Sequence, residues 1–166
     1  MLKLMRTILI TLCFISLAGC SSTTGNANRF AIYLVAVPNT DINQIILEDR
    51  PVLTAADIVS YDWNTHTMEL TDRGLRSIPA APKEVGVYGK SFVVVADEQR
   101  CYVGAFWTTF SSIAYPGPVI ELPLDTKTNS VTIRRAYPFE TLGMGSDPRT
   151  DKRIFKVLSE SGKLKQ

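Results

Sequence analysis

Ser91-Phe92-Val93-Val94-Val95-Ala96, then Asp97-Glu98-Gln99-Arg100, then Cys101-Tyr102-Val103-Gly104-Ala105-Phe106-Trp107, is the stretch that decides the fold. Two apolar runs joined by a four-residue polar turn predict a β-hairpin. Neither arm alternates cleanly between apolar and polar residues. A strand with one wet face alternates, whereas a strand covered on both faces reads as a nearly continuous apolar run. The hairpin is therefore expected at the centre of a sheet, with the other elements arranged around it.

Working outward, Phe30 to Val37 (FAIYLVAV) reads as a buried strand that stops at Pro38, and Asn39 to Asp49 fits either a loop or a short helical segment. Thr54 stands three residues before Asp57, a capping-box spacing that predicts one helical turn between Leu53 and Ile58. Ile58 to Trp63 and His66 to Thr71 flank Asn64-Thr65 as a second hairpin. Thr71 is placed to cap a short helix with Leu75 and Ile78 on one face, limited by Pro79 and Pro82. Beyond the breaker Tyr115-Pro116-Gly117-Pro118, residues 119–122 (VIEL) and 130–137 (SVTIRRAY) read as strands. Asp147-Pro148 is a helix start, with Ile154, Phe155, Val157 and Leu158 as an apolar stripe and Gly162 near the stop. The expected fold class is α+β: a mainly antiparallel sheet built from hairpins, with short helices packed on one face and a C-terminal helix. Residues 30–146 form one domain, and 147–166 are its amphipathic helix and tail.

The N-terminus has a different character. Lys3 and Arg6 precede the uncharged apolar run Thr7 to Leu17, which at 11 residues is too short to span a bilayer, and Leu17-Ala18-Gly19-Cys20 follows. This layout resembles the lipobox signal of bacterial lipoproteins. The resemblance implies removal of residues 1–19 and lipid attachment at Cys20. Ser21, where Asp is absent, resembles the pattern of lipoproteins delivered to the outer membrane and facing the periplasm. Residues 20–29 are small and polar and read as a flexible tether.

Processing at Cys20 leaves 147 of the 166 residues and removes Lys3 and Arg6, so 18 basic against 16 acidic residues becomes 16 against 16. A nucleic-acid partner loses its electrostatic basis. Of three cysteines, Cys13 leaves with the signal and Cys20 carries lipid, so Cys101 is the single free thiol, expected buried in a strand, and no intramolecular disulfide forms. One cysteine and one histidine without a carboxylate cluster offer no metal site, and no cofactor motif is present; Gly143-Met144-Gly145 is too short for a phosphate loop.

Catalytic signals are equally sparse. His66, beside a turn, is expected exposed. Thr108-Thr109 and Ser111-Ser112 lie in no nucleophile motif. Asp57, Asp62, Glu69 and Asp72 are spaced as caps and exposed hairpin positions. From Arg149 to Gln166 six basic residues (Arg149, Lys152, Arg153, Lys156, Lys163, Lys165) oppose Asp151 and Glu160. Such a face could touch anionic headgroups, but the segment is expected to dock Ile154, Phe155 and Leu158 on the sheet while its charges stay solvated. Tyr102, Phe106, Trp107, Phe110 and Tyr115 are expected mostly in the core.

Residues 30 to about 107 resemble the periplasmic head subdomain of SecD, the Sec export subunit. The resemblance rests on Asp49-Arg50-Pro51-Val52-Leu53-Thr54-Ala55-Ala56-Asp57-Ile58, on Glu69-Leu70-Thr71 with Gly74, and on Gly89 to Asp97. Glu98 departs from that pattern, where glycine follows the Asp, and so does Phe106, where proline is usual. The resemblance implies the α+β fold and a surface for holding a polypeptide. The expectation is a non-enzymatic, lipid-anchored protein that binds a polypeptide or an envelope assembly partner. Its rivals are an accessory lipoprotein of a fixed envelope complex and an envelope hydrolase with a carboxylate site.

Overall fold

The computed structural model describes residues 29–79, 82–124 and 127–165; the lipobox and Cys20 lie outside the described residues. In chain order the elements are β1 (Phe30–Val37), β2 (Ile46–Thr54), β3 (Ile58–Asp62), β4 (Thr67–Leu70), α1 (Asp72–Ser77), α2 (Pro82–Val85), β5 (Lys90–Ala96), β6 (Gln99–Thr108), β7 (Val119–Leu122), β8 (Ser130–Thr132) and α3 (Lys152–Glu160). The expected α+β class is found, with its strands in two sheets: a five-stranded one ordered β2-β1-β5-β6-β7 and a three-stranded one ordered β3-β4-β8. All pairings are antiparallel except β6 with β7.

The β5–β6 hairpin is central, as its unbroken apolar pattern requires. Phe92, Val93, Val94, Val95 and Ala96 are all buried, so both sheet faces are covered. Phe92, Val94 and Ala96 face the main core with Phe30 and Ile32 of β1, Tyr102 and Phe106 of β6, and Ile120 and Leu122 of β7. α1, α3 and the small sheet close over this face through Ile78, Ile154, Val157, Leu158, Tyr61, Met68, Leu70 and Val131. Each fully buried Phe, Leu or Ile contributes roughly 1.5–3 kcal/mol. Val93 and Val95 point the other way, where Ile42 and Ile45 cover them.

Several elements differ from expectation, each for a local reason. The ambiguous Asn39 to Asp49 segment contains a 3-10 turn at Ile42–Gln44 and the start of β2. β2 is an edge strand that carries Pro51 and shifts register three times against β1, so its sequence keeps no period. The turn between β5 and β6 has two residues, Asp97 and Glu98, rather than four. β8 ends at Thr132, and only isolated bridges at Arg134 and Tyr137 continue it. The C-terminal helix begins four residues late. Asp147 accepts from Arg149 N–H above a 3-10 turn at Pro148–Thr150, and the extended Asp151 then accepts from Arg153 N–H at 2.8 Å to cap α3. Phe155 does not dock with Ile154 and Leu158 but stays 44 % exposed. Arg29 belongs to the fold rather than to the tether, its carbonyl accepting from Asp97 N–H.

The helical turn at Ala55–Asp57 forms as the Thr54/Asp57 spacing predicts, the Asp57 carboxylate accepting from both the Thr54 N–H and its hydroxyl at 2.8 Å. Thr71 caps α1 by accepting from Gly74 N–H. A Cβ at Gly74 would lie 2.9 Å from Asp57 O, so glycine is what lets the helix approach that turn.

Asp97 and Glu98 have φ values of 49° and 63°. This left-handed pair is the primed turn that two-residue hairpins favour, and a side chain at its second position is strained. Glu98→Gly should therefore stabilise the protein by about 0.5–1 kcal/mol, seen as a raised denaturant midpoint at unchanged slope. An unchanged or lowered midpoint would contradict the strain.

Candidate functional site

The two ends of the central hairpin differ chemically. At the Asp97-Glu98 end, Arg29 Nε lies 2.6 Å from Asp97 Oδ1, and its other nitrogens reach Asp97 Oδ2 and Glu160. Lys156 adds a contact to Asp97 at 3.6 Å. The Arg29 guanidinium holds the Asp97 carboxyl below the usual carboxylate range. Arg153 bonds Asp151 and Gln99 beside them. This end is polar and ion-paired, and the chain enters the domain here.

The opposite end lies about 30 Å away, the length of ten-residue β6 at roughly 3.3 Å per residue. It is apolar. Val87, Tyr88, Phe110 and Ile113 are all exposed, Tyr88 by 80 % and Phe110 by 77 %. Val37 and Ile46, partners across β1 and β2, are exposed at the same end. Hydrogen bonds staple the loops that carry the four. Ser111 Oγ donates to Val87 O at 2.7 Å, and the Tyr137 hydroxyl donates to Thr109 O at 3.2 Å and Ser111 O at 3.1 Å. Tyr115 and Tyr137 exchange backbone hydrogen bonds of 2.9 Å. Beneath them Trp107 stacks on Tyr115 at a centroid distance of 5.1 Å, and a Cβ at Gly89 would meet its ring at 2.3 Å. Phe139, two residues past Tyr137, is also exposed. Exposed apolar residues on hydrogen-bonded loops make this end the most apolar part of the described surface.

The residues singled out from sequence are dispersed around this frame. His66 is 6 % exposed, not free in solvent. Its φ of 52° turns the imidazole inward, with Nδ1 3.1 Å from the Tyr61 hydroxyl and the ring edge-on to Trp63. Burial, then Arg149, lowers its pKa against the weaker opposing pull of Asp147, Glu140 and Asp62. Cys101 sits in β6 as expected but is only partly buried; burial raises its thiol to about 11, which keeps it protonated and unreactive. Of the acidic group, Asp57 is a buried cap contacted by Arg73 at 2.8 Å, Asp62 accepts from Asn64 and Thr65 N–H, and Glu69 accepts from Ser60. Arg149 is buried rather than solvated, held by Asp147 and Glu140 while donating to Ile133 O. Tyr102, Phe106 and Trp107 are core, Tyr115 is partly buried, and Phe110 is exposed.

β7 and the segment just past β8 meet at Val119 and Arg134, which exchange backbone hydrogen bonds of 2.8 Å, and β7 and β8 then splay around a 410 Å³ groove. Glu121 and Glu140 line it with Arg134 ion-paired to both. Among the described residues no group of three His, Cys, Asp or Glu side chains is placed to hold a metal ion, and no helix is long and apolar enough to cross a membrane.

The fold and this surface define an α+β domain with a charged end where the chain enters and an apolar, stapled loop surface at the other. No family model matches the chain, and no curated protein or solved structure compared with it is similar. Sequence reading missed the loop surface because Val87, Tyr88 and Phe110 are isolated apolar residues between turns, and only the Ser111 and Tyr137 bonds bring them together.

A neutral buried His66 ties stability to pH. Its folded pKa lies below its ordinary value of 6.5, so the unfolded chain binds the proton first. Its contribution should be complete above about pH 6.5 and be lost as pH falls through the folded value. Urea midpoints taken from about pH 8 to 5 should show this decline, and His66→Gln should flatten it. At the loop surface, Tyr88→Ser and Phe110→Ser should change stability by less than about 0.5 kcal/mol, whereas Gly89→Ala should cost more than about 2 kcal/mol.

Proposed function

We propose that this protein is a lipoprotein anchored through Cys20 to the outer membrane, facing the periplasm, and that its domain is a non-enzymatic binding module for a protein of the envelope. The observation that carries the binding reading is the placement of the apolar loops at the end of the hairpin farthest from Arg29, where the chain enters. A tether at one end leaves the other free to meet a partner. The anchor reading is supported by Lys3, Arg6, the apolar run to Leu17 and Leu17-Ala18-Gly19-Cys20. The motif resemblance between Phe30 and Trp107 supports a SecD-head-like unit, without implying translocation.

Between an extended client chain and a folded assembly partner, the geometry favours the second. The outer edge strand β2 carries Glu48, Asp49, Arg50 and Pro51 and is irregular in register, features that discourage strand addition. Val87, Tyr88 and Phe110 instead sit on hydrogen-bonded loops, preordered for a matching surface. The hydrolase reading has one observation in its favour, Glu121 and Glu140 in one groove, but Arg134 pairs with both and neither carboxylate is left free to act as a base.

A photo-crosslinking residue placed at Tyr88 or Phe110 in cells should capture one defined protein, while the same residue at exposed Val59 captures none. Many products would favour client chains, and no product at either loop position would sink the binding reading. Cys20→Ala should abolish metabolic acyl labelling and membrane retention; unchanged fractionation and mass would refute the anchor.

A further inference from the structure

We infer that the charged end of the domain is itself a membrane-docking face, contacting an anionic phospholipid surface through Trp63, Phe155 and the lysines of the C-terminal segment. The inference rests on the lipid anchor at Cys20. The nine links from Cys20 to Arg29 span at most about 30 Å, so the end of the domain that holds Arg29 is kept within that reach of the bilayer. What that end presents suits a headgroup region.

Arg29 is fastened to Glu160, the last residue of α3. Its neighbour Ser159 lines a 350 Å³ groove with Trp63, Phe155, Gly162, Leu164 and Lys165. The chain entry and the groove are therefore adjacent. Trp63 and Phe155 meet edge to face at 5.1 Å, and Phe155 stands outside the core although its helix neighbours Ile154, Val157 and Leu158 are buried. Aromatic rings at the edge of a polar surface match the interface of a bilayer, where an apolar body and a wet rim are both satisfied.

The charges agree in sign. Lys152 and Lys156 share the outward face of α3, one turn apart, beside Phe155. Lys163 and Lys165 are held on the body because Tyr61 N–H donates to Lys163 O at 2.7 Å and Lys165 N–H donates to Tyr61 O at 2.9 Å. Asp97, Asp151 and Glu160 are occupied by Arg29, Arg153 and Lys156, and Glu69 contacts Lys165. Exposed Lys152 and half-buried Lys163 have no carboxylate partner among the described residues, which leaves their positive charge uncompensated. Docking here aims the Tyr88 and Phe110 loops away from the bilayer.

The test uses the full lipidated protein in vesicles of phosphatidylethanolamine with or without phosphatidylglycerol, carrying bromine on the acyl chains near the headgroups. Trp107 is buried toward the far end of the hairpin, so the fluorescence lost in Trp63→Phe reports the docking face. Protein that floats with the vesicles and loses its Trp63 emission only when phosphatidylglycerol is present is the expected result. Reversing both unpaired lysines (Lys152→Glu with Lys163→Glu) should then lower the ratio of docked to undocked protein by at least about thirtyfold. Flotation with unquenched Trp63, or equal quenching on zwitterionic vesicles, overturns the inference while leaving the anchor standing. Failure to float removes the anchor and the inference together. A photo-crosslinker at Phe155 that captures protein in cells instead of lipid assigns this face to a protein partner and likewise overturns it.

Discussion

Four consecutive residues, Phe92 to Val95, are buried in the middle strand of the larger sheet. Successive side chains of a strand point to opposite faces, so burying all four obliges the protein to cover both faces of one sheet. The remaining architecture answers that requirement. The face of Phe92 and Val94 receives two helices and a second sheet, which supply Ile78, Ile154, Leu158, Tyr61 and Met68. The face of Val93 and Val95 receives a 3-10 turn carrying Ile42 and, just after it, Ile45, with Tyr115 and Tyr137 over Trp107 farther along, so this layer is thinner. A chain of this size builds one substantial core and drapes the rest.

Covering the faces leaves the ends of the sheet as the places where function can differ, and the two ends have diverged. At the Asp97-Glu98 turn, Arg29, Asp97, Lys156, Arg153 and Asp151 pair with one another, and the polar end is tied to the chain entry. Exposed pairs of this kind contribute little stability individually, typically up to about 1 kcal/mol; their effect is to fix where α3 and Arg29 sit. At the far end Trp107, Tyr115 and Tyr137 form an aromatic floor, and the loops above display Tyr88 and Phe110. Keeping such residues in water forfeits the burial that stabilises the rest of the chain.

His66 and Arg149 show how context overrides composition. His66 follows a turn, where exposure is the ordinary outcome, yet its left-handed backbone folds the ring onto Tyr61 and Trp63. Arg149 belongs to a basic run, yet it is buried because Asp147, Glu140 and the Ile133 carbonyl together satisfy its guanidinium. Each polar group is tolerated inside because polar partners meet it there, Tyr61 for His66 and Asp147, Glu140 and the Ile133 carbonyl for Arg149.

The sequence by itself determined what local spacing determines. The unbroken apolar runs placed the central hairpin, the Thr54/Asp57 spacing and Thr71 ahead of Leu75 and Ile78 placed two caps, and the period of Ile154, Val157 and Leu158 placed the last helix, because each of these depends on residues a few positions apart. Residues 17–20 carry the lipobox-like spacing and lie outside the described residues. Only the tertiary structure decided that the strands split into two sheets, that β2 is an edge, that Phe155 stays outside the core and that Phe110 joins Tyr88. Edge and centre depend on which neighbour a strand finds, and an exposed surface depends on loops meeting, as Ser111 meets Val87 from 24 residues away. Contacts of that range leave no period in the chain, so the apolar loop surface became visible only when the ends of the sheet were in place.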